Sequence, residues 1–252
     1  MSSSPIRVGV LGANGRLGKS ICEAVEAAPD LVLVAKIGRS DSLDQLIDAG
    51  TEVAIDVTHP EAVMKNLQFM IANGIHAVIG TSGFDSSRIA TVKEWFSRAR
   101  ADLGVVIAPN FAIGAILCIR FAEHAARYFE SVELIELHHP KKIDAPSGTA
   151  THAASLIASA RESAGIGQPP DATTAALDGA RGACVEGIRV HSIRLSGLIA
   201  HQEVLMGNPG EVFTIRHDST DRVSFVPGVL LAIRNVKSRS GLTVGIDSFL
   251  GF

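Results

Sequence analysis

Ile6-Arg-Val-Gly-Val-Leu11 runs directly into Gly12-Ala13-Asn14-Gly15-Arg16-Leu17-Gly18, an apolar stretch followed by three evenly spaced glycines. A short apolar run closed by glycine reads as a buried strand. Beyond it, Leu17, Ile21, Ala24, Val25 and Ala28 recur on one face of a helical pattern over residues 16–28. A strand, a glycine loop and a helix in that order bring backbone amides close to a pyrophosphate, at the positive end of the helix dipole. The spacing is G-x-x-G-x-x-G rather than the commoner G-x-G-x-x-G. Taken alone, the loop therefore also fits a purely structural strand-to-helix turn.

Working outward, residues 31–37, 53–57, 76–79 and 104–108 are further buried-strand patterns, with helical stretches at 61–72 and 86–100. Strands alternating with helices imply right-handed βαβ units and a doubly wound parallel sheet of Rossmann type. After residue 110 the rhythm changes. Residues 111–130 read as a long helix, 131–138 as a strand and 149–164 as a helix. A loop-rich stretch over 165–187 leads to strands at 188–196, 199–206 and 211–217, the last two joined by the turn signal Asn208-Pro-Gly. The expected fold is α/β: a Rossmann domain over 1–110, a smaller α+β domain with a mostly antiparallel sheet over 111–217, and a segment over 218–252 returning to the first. Its helix at 227–236 is expected to pack there.

The composition narrows the function. Hydrophobic residues make up 46% of the chain and charged residues 19%, enough to bury a core. A net charge of −3 argues against a nucleic-acid partner. Cys22, Cys118 and Cys184 are far apart and odd in number, which fits reduced thiols. Met1-Ser-Ser-Ser-Pro leads into the first strand without a secretory apolar region, and the run 111–119 is too short to span a bilayer. A cytoplasmic protein with no membrane partner is expected.

Two local patterns carry the chemistry. The second strand ends in Lys36-Ile-Gly38-Arg39-Ser40, where a NAD-specific domain usually places an acid for the ribose 2′-hydroxyl. Without that acid, Arg39 is suited to a 2′-phosphate. The expected coenzyme is NADPH in preference to NADH, with Asp41 nearby leaving NADH possible. Farther on, His138-His139-Pro-Lys141-Lys142 precedes Ser147-Gly148-Thr149 at a helix start. Histidine suits proton transfer near neutral pH, lysine supplies compact positive charge, and the first amides of a helix hold a carboxylate. The cluster reads as a pocket for a small anion, although a solvated loop with Ser147 as an ordinary N-cap fits equally well. Adjacent strand residues point to opposite faces, so the histidine pair is not expected to share a metal ion.

Five segments resemble the 4-hydroxy-tetrahydrodipicolinate reductase family of diaminopimelate and lysine biosynthesis. They are Val10-Leu-Gly-Ala-Asn-Gly-Arg-Leu-Gly18, Asp56-Val-Thr58, Gly80-Thr-Ser-Gly83, Ala108-Pro-Asn-Phe-Ala-Ile-Gly114, and Glu136-Leu-His-His139 through Asp144-Ala-Pro-Ser-Gly-Thr149. The resemblance implies that Gly12 to Leu17 hold the coenzyme diphosphate and Arg39 the adenosine ribose end. It places Gly80, Thr81, Ser82, Ala108, Pro109, Asn110 and Phe111 around the nicotinamide. His138 matches the family's proton donor and acceptor, and Lys142 its second proton donor. His139, Gly148 and Thr149, beside Ser147, match contacts to the carboxylates of a small cyclic dicarboxylate. A homotetramer built through the second sheet is also implied. The chain departs from the pattern at Gly38, where an acid is often found, and at Ser82, where threonine is common. Two rivals are an amino-acid or oxo-acid reductase of similar plan and a non-catalytic NADP(H)-binding regulator. Both leave His138 and Lys142 without a task.

Overall fold

In chain order the elements are β1 (Ile6–Leu11), α1 (Arg16–Ala27), β2 (Leu31–Ile37), α2 (Asp44–Asp48), β3 (Val53–Asp56), α3 (Val63–Ala72), β4 (His76–Ile79), α4 (Ser86–Phe96) and β5 (Gly104–Ile107). There follow α5 (Ile113–Ala125), β6 (Ser131–His138), α6 (Gly148–Ser163), β7 (Ala183–Val185), β8 (Ile188–Arg194), β9 (Ala200–Asn208) and β10 (Glu211–Ser219). The chain ends with α7 (Val226–Asn235) and β11 (Gly241–Val244). The computed structural model describes residues 4–96 and 100–252. Residues 1–3, and 97–99 of the helix expected over 86–100, lie outside the described residues. The chain divides into two units, Met1–Phe111 with Phe225–Phe252, and Ala112–Ser224.

The first unit is built on a parallel sheet in the order β11-β5-β4-β3-β1-β2. Every residue of β3, β4 and β5 is buried, as expected of strands covered by helices on both faces. Leu11, Leu46, Leu67, Met70, Ile79 and Leu103 belong to one buried cluster. Each such side chain contributes roughly 1.5–3 kcal/mol through removal from water. From β1 the chain passes to β2 on one side and then to β3 on the other. That reversal opens a crevice at the carboxyl ends of the strands, where doubly wound sheets bind ligands. Helix α7 packs on α1, and Arg234 grips Asp30 with two bonds of 2.8 and 2.9 Å.

The second unit carries a mixed sheet in the order β10-β9-β6-β8-β7. Its β9–β10 hairpin turns at Pro209-Gly210, with Gly210 at φ 86°. The β6–β9 and β7–β8 pairs are antiparallel and the β6–β8 pair is parallel. Along β6, Val132, Leu134 and Glu136 are buried while their alternates are half-buried. The period of two thus turns one face towards α5 and α6, where Ile119, Ala122, Ala153, Ala154 and Ile157 complete the core. His138 shares the parity of Glu136, and this places it on the helix-covered face.

Some elements differ from the expectations. The helix expected over 111–130 spans only Ile113–Ala125 and closes in a 3₁₀ turn, Ala126–Tyr128. Beyond its end, the guanidinium of Arg161 on α6 donates to the carbonyls of Ala126, Phe129 and Glu130. The short elements α2, β7 and β11 are absent from the sequence reading. Strand β11 adds to the edge of β5, pairing Gly241 to Val244 with Gly104 to Ile107.

Candidate active site

The residues expected to meet a coenzyme fall in the first unit, in the loops that follow β1, β2, β4 and β5. Gly12 adopts φ 82°, and a side chain there would lie 2.7 Å from the Val57 carbonyl. Gly18 sits so close beneath the loop that a β-carbon would meet the Gly12 carbonyl at 2.1 Å. Asn14, Gly15 and Arg16 are exposed between them, while Ala13 is buried and Leu17 half-buried. The Gly15 amide donates to Gly12 O at 2.9 Å, closing the turn at the N-terminus of α1. This cradle has the shape and dipole to receive a diphosphate. At the tip of β2, Arg39 is exposed, and the Asp41 carboxylate turns back to accept the Gly38 amide at 2.7 Å.

Beneath the β4 loop lies a carboxylate that the sequence reading quoted without assigning a role. Asp56, fully buried at the end of β3, accepts from the Thr58 amide (2.9 Å), the Thr58 hydroxyl (2.7 Å) and Asn66 (2.8 Å). The Thr81 hydroxyl also donates to it at 2.7 Å. Gly80-Thr81-Ser82 is therefore tied to the β3 loop, with Thr81 buried and Ser82 exposed. Ala108 and Phe111 are buried behind it, Pro109 is exposed and Asn110 half-buried.

The second unit gathers His138, His139, Lys142, Ser147, Gly148 and Thr149 between the end of β6 and the start of α6. His138 bonds through Nδ1 to Glu136 Oε2 at 2.5 Å. Arg194, paired across from His138 on β8, clasps both Glu136 oxygens at 2.7 and 2.9 Å and reaches the Asp144 carbonyl at 2.7 Å. The Ser147 amide donates to Glu136 Oε1 at 3.1 Å, and the Ser147 hydroxyl accepts from Ala150 N at 3.2 Å. The hydroxyl of Ser147 is thus the N-cap of α6. Lys142 donates to Asp144 at 2.7 Å, and Asp144 also accepts from Gly148 N at 3.3 Å. An internal carboxylate therefore rests on two of the groups expected to meet a substrate anion. A β-carbon at Gly148 would meet nothing within 4 Å, so the first turn of α6 opens outward. The Nδ1 of His139 is buried and has no hydrogen-bond partner among the described residues.

The charges follow from these contacts. Burial pushes the Glu136 carboxyl up, but Arg194, Ser192 and His138 outweigh it and hold it below its ordinary range. Burial pushes the His138 imidazole down from its ordinary value, against the pull of Glu136. Lys142 holds Asp144 below the usual carboxylate range. Among the described residues no three His, Cys, Asp or Glu side chains gather as a metal site, and no helix is long and apolar enough to cross a membrane.

Sequence reasoning quoted Glu136 but assigned it no role. Its separation of two residues from His138 in a strand was the available signal. Arg194 gave none, standing 58 residues from Glu136.

Comparison with known proteins bears on the whole chain. A family model described as dihydrodipicolinate reductase, N-terminus, matches residues 6–111, and another, dihydrodipicolinate reductase, C-terminus, matches 114–250. The 4-hydroxy-tetrahydrodipicolinate reductase of Nocardia farcinica is 62% identical over 245 residues, covering 97% of this chain and 98% of its own. That of Mycolicibacterium vanbaalenii is 59% identical, covering 97% and 99%. The solved structure of a dipicolinate-bound dihydrodipicolinate reductase from Paenisporosarcina sp. TG-14 is similar, with a TM-score of 0.82 at 36% identity. The match covers 97% of this chain and 99% of that one. Matched in both halves and alike in fold along nearly its whole length, the chain belongs to the dihydrodipicolinate reductase family.

Proposed function

We propose that the chain reduces 4-hydroxy-tetrahydrodipicolinate, by way of dihydrodipicolinate, to tetrahydrodipicolinate in diaminopimelate and lysine biosynthesis. The observation that carries this reading is the cluster of His138, His139, Lys142 and Arg194 at the open first turn of α6. Such a cluster suits a small cyclic dicarboxylate. The same reading makes the enzyme a cytoplasmic homotetramer. In support, Ile193 and Val212 are exposed on the sheet face opposite the core-facing Val190 and Ile215.

The glycine cradle of Gly12, Ala13, Asn14, Gly15, Arg16 and Leu17 holds the coenzyme diphosphate, and Gly80 to Ser82 with Ala108 to Phe111 border the nicotinamide. Bound there, the reduced nicotinamide supplies the hydride for the conjugated imine left when the substrate hydroxyl departs as water. The protein's own part is orientation and charge. His139, the Gly148 and Thr149 amides and the N-terminus of α6 hold the carboxylates, with Ser147 capping the helix that presents them. Positive charge from Lys142 stabilises electron density arriving on the ring. His138 or Lys142 then delivers a proton to the neighbouring ring carbon. Dianionic substrate beside His138 favours its protonated form, opposing the effect of burial.

NADPH is the preferred coenzyme in this reading because Gly38 offers the ribose no acid, Asp41 is already engaged with the Gly38 amide, and Arg39 stands exposed beside them. Arg39→Ala is expected to raise KM for NADPH roughly tenfold, the worth of one charge-assisted contact of about 1.5 kcal/mol. KM for NADH should stay unchanged. Steady-state kinetics with both coenzymes measures this, and equal losses for the two would remove Arg39 from 2′-phosphate recognition.

The activity itself is tested by following NADPH oxidation while a preceding synthase generates substrate from pyruvate and aspartate semialdehyde. Rapid, synthase-dependent oxidation is expected. Its absence, with NADPH binding intact, would shift the assignment to another acid or to a sensor.

A further inference from the structure

We infer that Glu136 is a positioning residue whose single buried carboxylate holds the proton-transferring imidazole, the anion-binding helix start and the Lys142 loop in one arrangement. The inference rests on the reductase reading given above. Glu136 is fully buried, yet its two oxygens receive His138 Nδ1, both terminal nitrogens of Arg194 and the Ser147 amide. Ser192, its partner across the β6–β8 ladder, also helps to hold the carboxylate charged. A buried carboxylate is costly unless so fully satisfied, and each of these donors leads to a different part of the site. Through Nδ1 it fixes the imidazole orientation and leaves Nε2 to meet the substrate. Through the Ser147 amide it sets the start of α6. Through Arg194, whose second contact is the Asp144 carbonyl, it anchors the loop that carries Lys142.

The charged groups facing His138 are Glu136 on its own strand, Arg194 on β8 and Lys142 on the following loop. Across the ladder β9 offers Ala200, and the first turn of α6 carries no charged side chain. Glu136 is thus the anion that opposes burial and two cations. Removing its charge leaves Arg194 uncompensated beside the imidazole, so the His138 pKa falls further.

The test compares wild type with Glu136→Gln and Glu136→Asp, using three readouts: NADPH affinity, inhibition by dipicolinate, and the His138 titration followed by NMR beside the pH profile of kcat/KM. For Glu136→Gln, NADPH affinity should be unchanged, because the proposed coenzyme contacts lie in the other unit. Dipicolinate inhibition should weaken about 10–100-fold, the size of loss seen when the hydrogen-bonded support of a metal-ligating histidine is removed. The His138 titration and the basic limb of the profile should both move to lower pH. A uniform loss of activity with an unmoved titration and limb would make Glu136 a structural ion-pair partner and overturn the inference. Glu136→Asp keeps the charge but withdraws the carboxylate by one methylene. It should titrate nearer to wild type while still losing kcat, and it decides the matter if the Gln variant does not fold. An Asp variant indistinguishable from wild type would likewise overturn positioning. The NMR titration needs no turnover, so it judges Glu136 even if the wild-type enzyme fails to reduce this substrate.

Discussion

His138→Ala is expected to lower kcat by about 10²–10⁴-fold, the usual worth of a positioned acid or base, while leaving NADPH affinity essentially unchanged. In barrier terms the loss is roughly 3–5 kcal/mol. The imidazole sits at the end of β6, half-buried, with Nδ1 committed to Glu136, so alanine removes the proposed proton carrier without disturbing the glycine cradle. Water entering the vacated space has neither the pKa nor the fixed orientation to replace it. Lys142→Ala should fall in the same direction, and the double variant should lose less than the product of the single losses if both residues serve one proton step. Steady-state kinetics and a coenzyme fluorescence titration measure the two effects separately. Turnover that survived both substitutions would refute the catalytic assignment, and parallel losses of turnover and coenzyme affinity would point to a folding defect.

The second large effect is expected at Asp56, where alanine should destabilise the first unit by about 3 kcal/mol or more. Removing this fully buried carboxylate strands the Thr58 amide and hydroxyl, Asn66 and the Thr81 hydroxyl, and each buried donor left unpaired costs about 1–3 kcal/mol. For a chain of this size the melting temperature should fall by roughly 6–12 °C, at about 2–4 °C per kcal/mol. Freed from Asp56, Thr81 no longer ties its loop to β3, so KM for NADPH should rise as well. Asp56→Asn keeps one carbonyl oxygen and should be intermediate in both respects. Differential scanning calorimetry with and without NADPH separates the two effects. An alanine variant that melts with wild type would mean that water or a shifted side chain satisfies the orphaned donors.

Much of the first unit was legible because its signals are local. The apolar run Ile6 to Leu11, the glycine spacing behind it and the one-sided apolar face from Leu17 to Ala28 lie within a single βα unit. The structure places β1 and α1 there to within a residue. The strands at 31–37, 76–79 and 131–138 also coincide with β2, β4 and β6. Burial on both faces, or strict alternation, writes itself into consecutive residues. Ser147-Gly148-Thr149 announced a helix start for the same reason, since a cap acts on amides three residues away.

What escaped the sequence is what depends on chain segments that meet only after folding. Gly241-Leu-Thr-Val244 mixes glycine and threonine with two apolar residues and is not fully buried, so it shows no apolar run, and it becomes a strand because the β5 edge offers unpaired amides and carbonyls. The helix begun at Ile113 ends at Ala125, and an arginine 35 residues from Ala126 arrives to take the carbonyls of the turn that follows it. Glu136 and Arg194 read as an ordinary strand acid and base until the parallel pairing of β6 with β8 sets Arg194 across from His138 and within reach of Glu136. The sequence alone therefore determined the Rossmann unit, its glycine loop and the residue types of the basic cluster that precedes α6. The tertiary structure decided which charges meet, because hydrogen-bonded pairing across a sheet joins residues whose separation along the chain leaves no periodic trace.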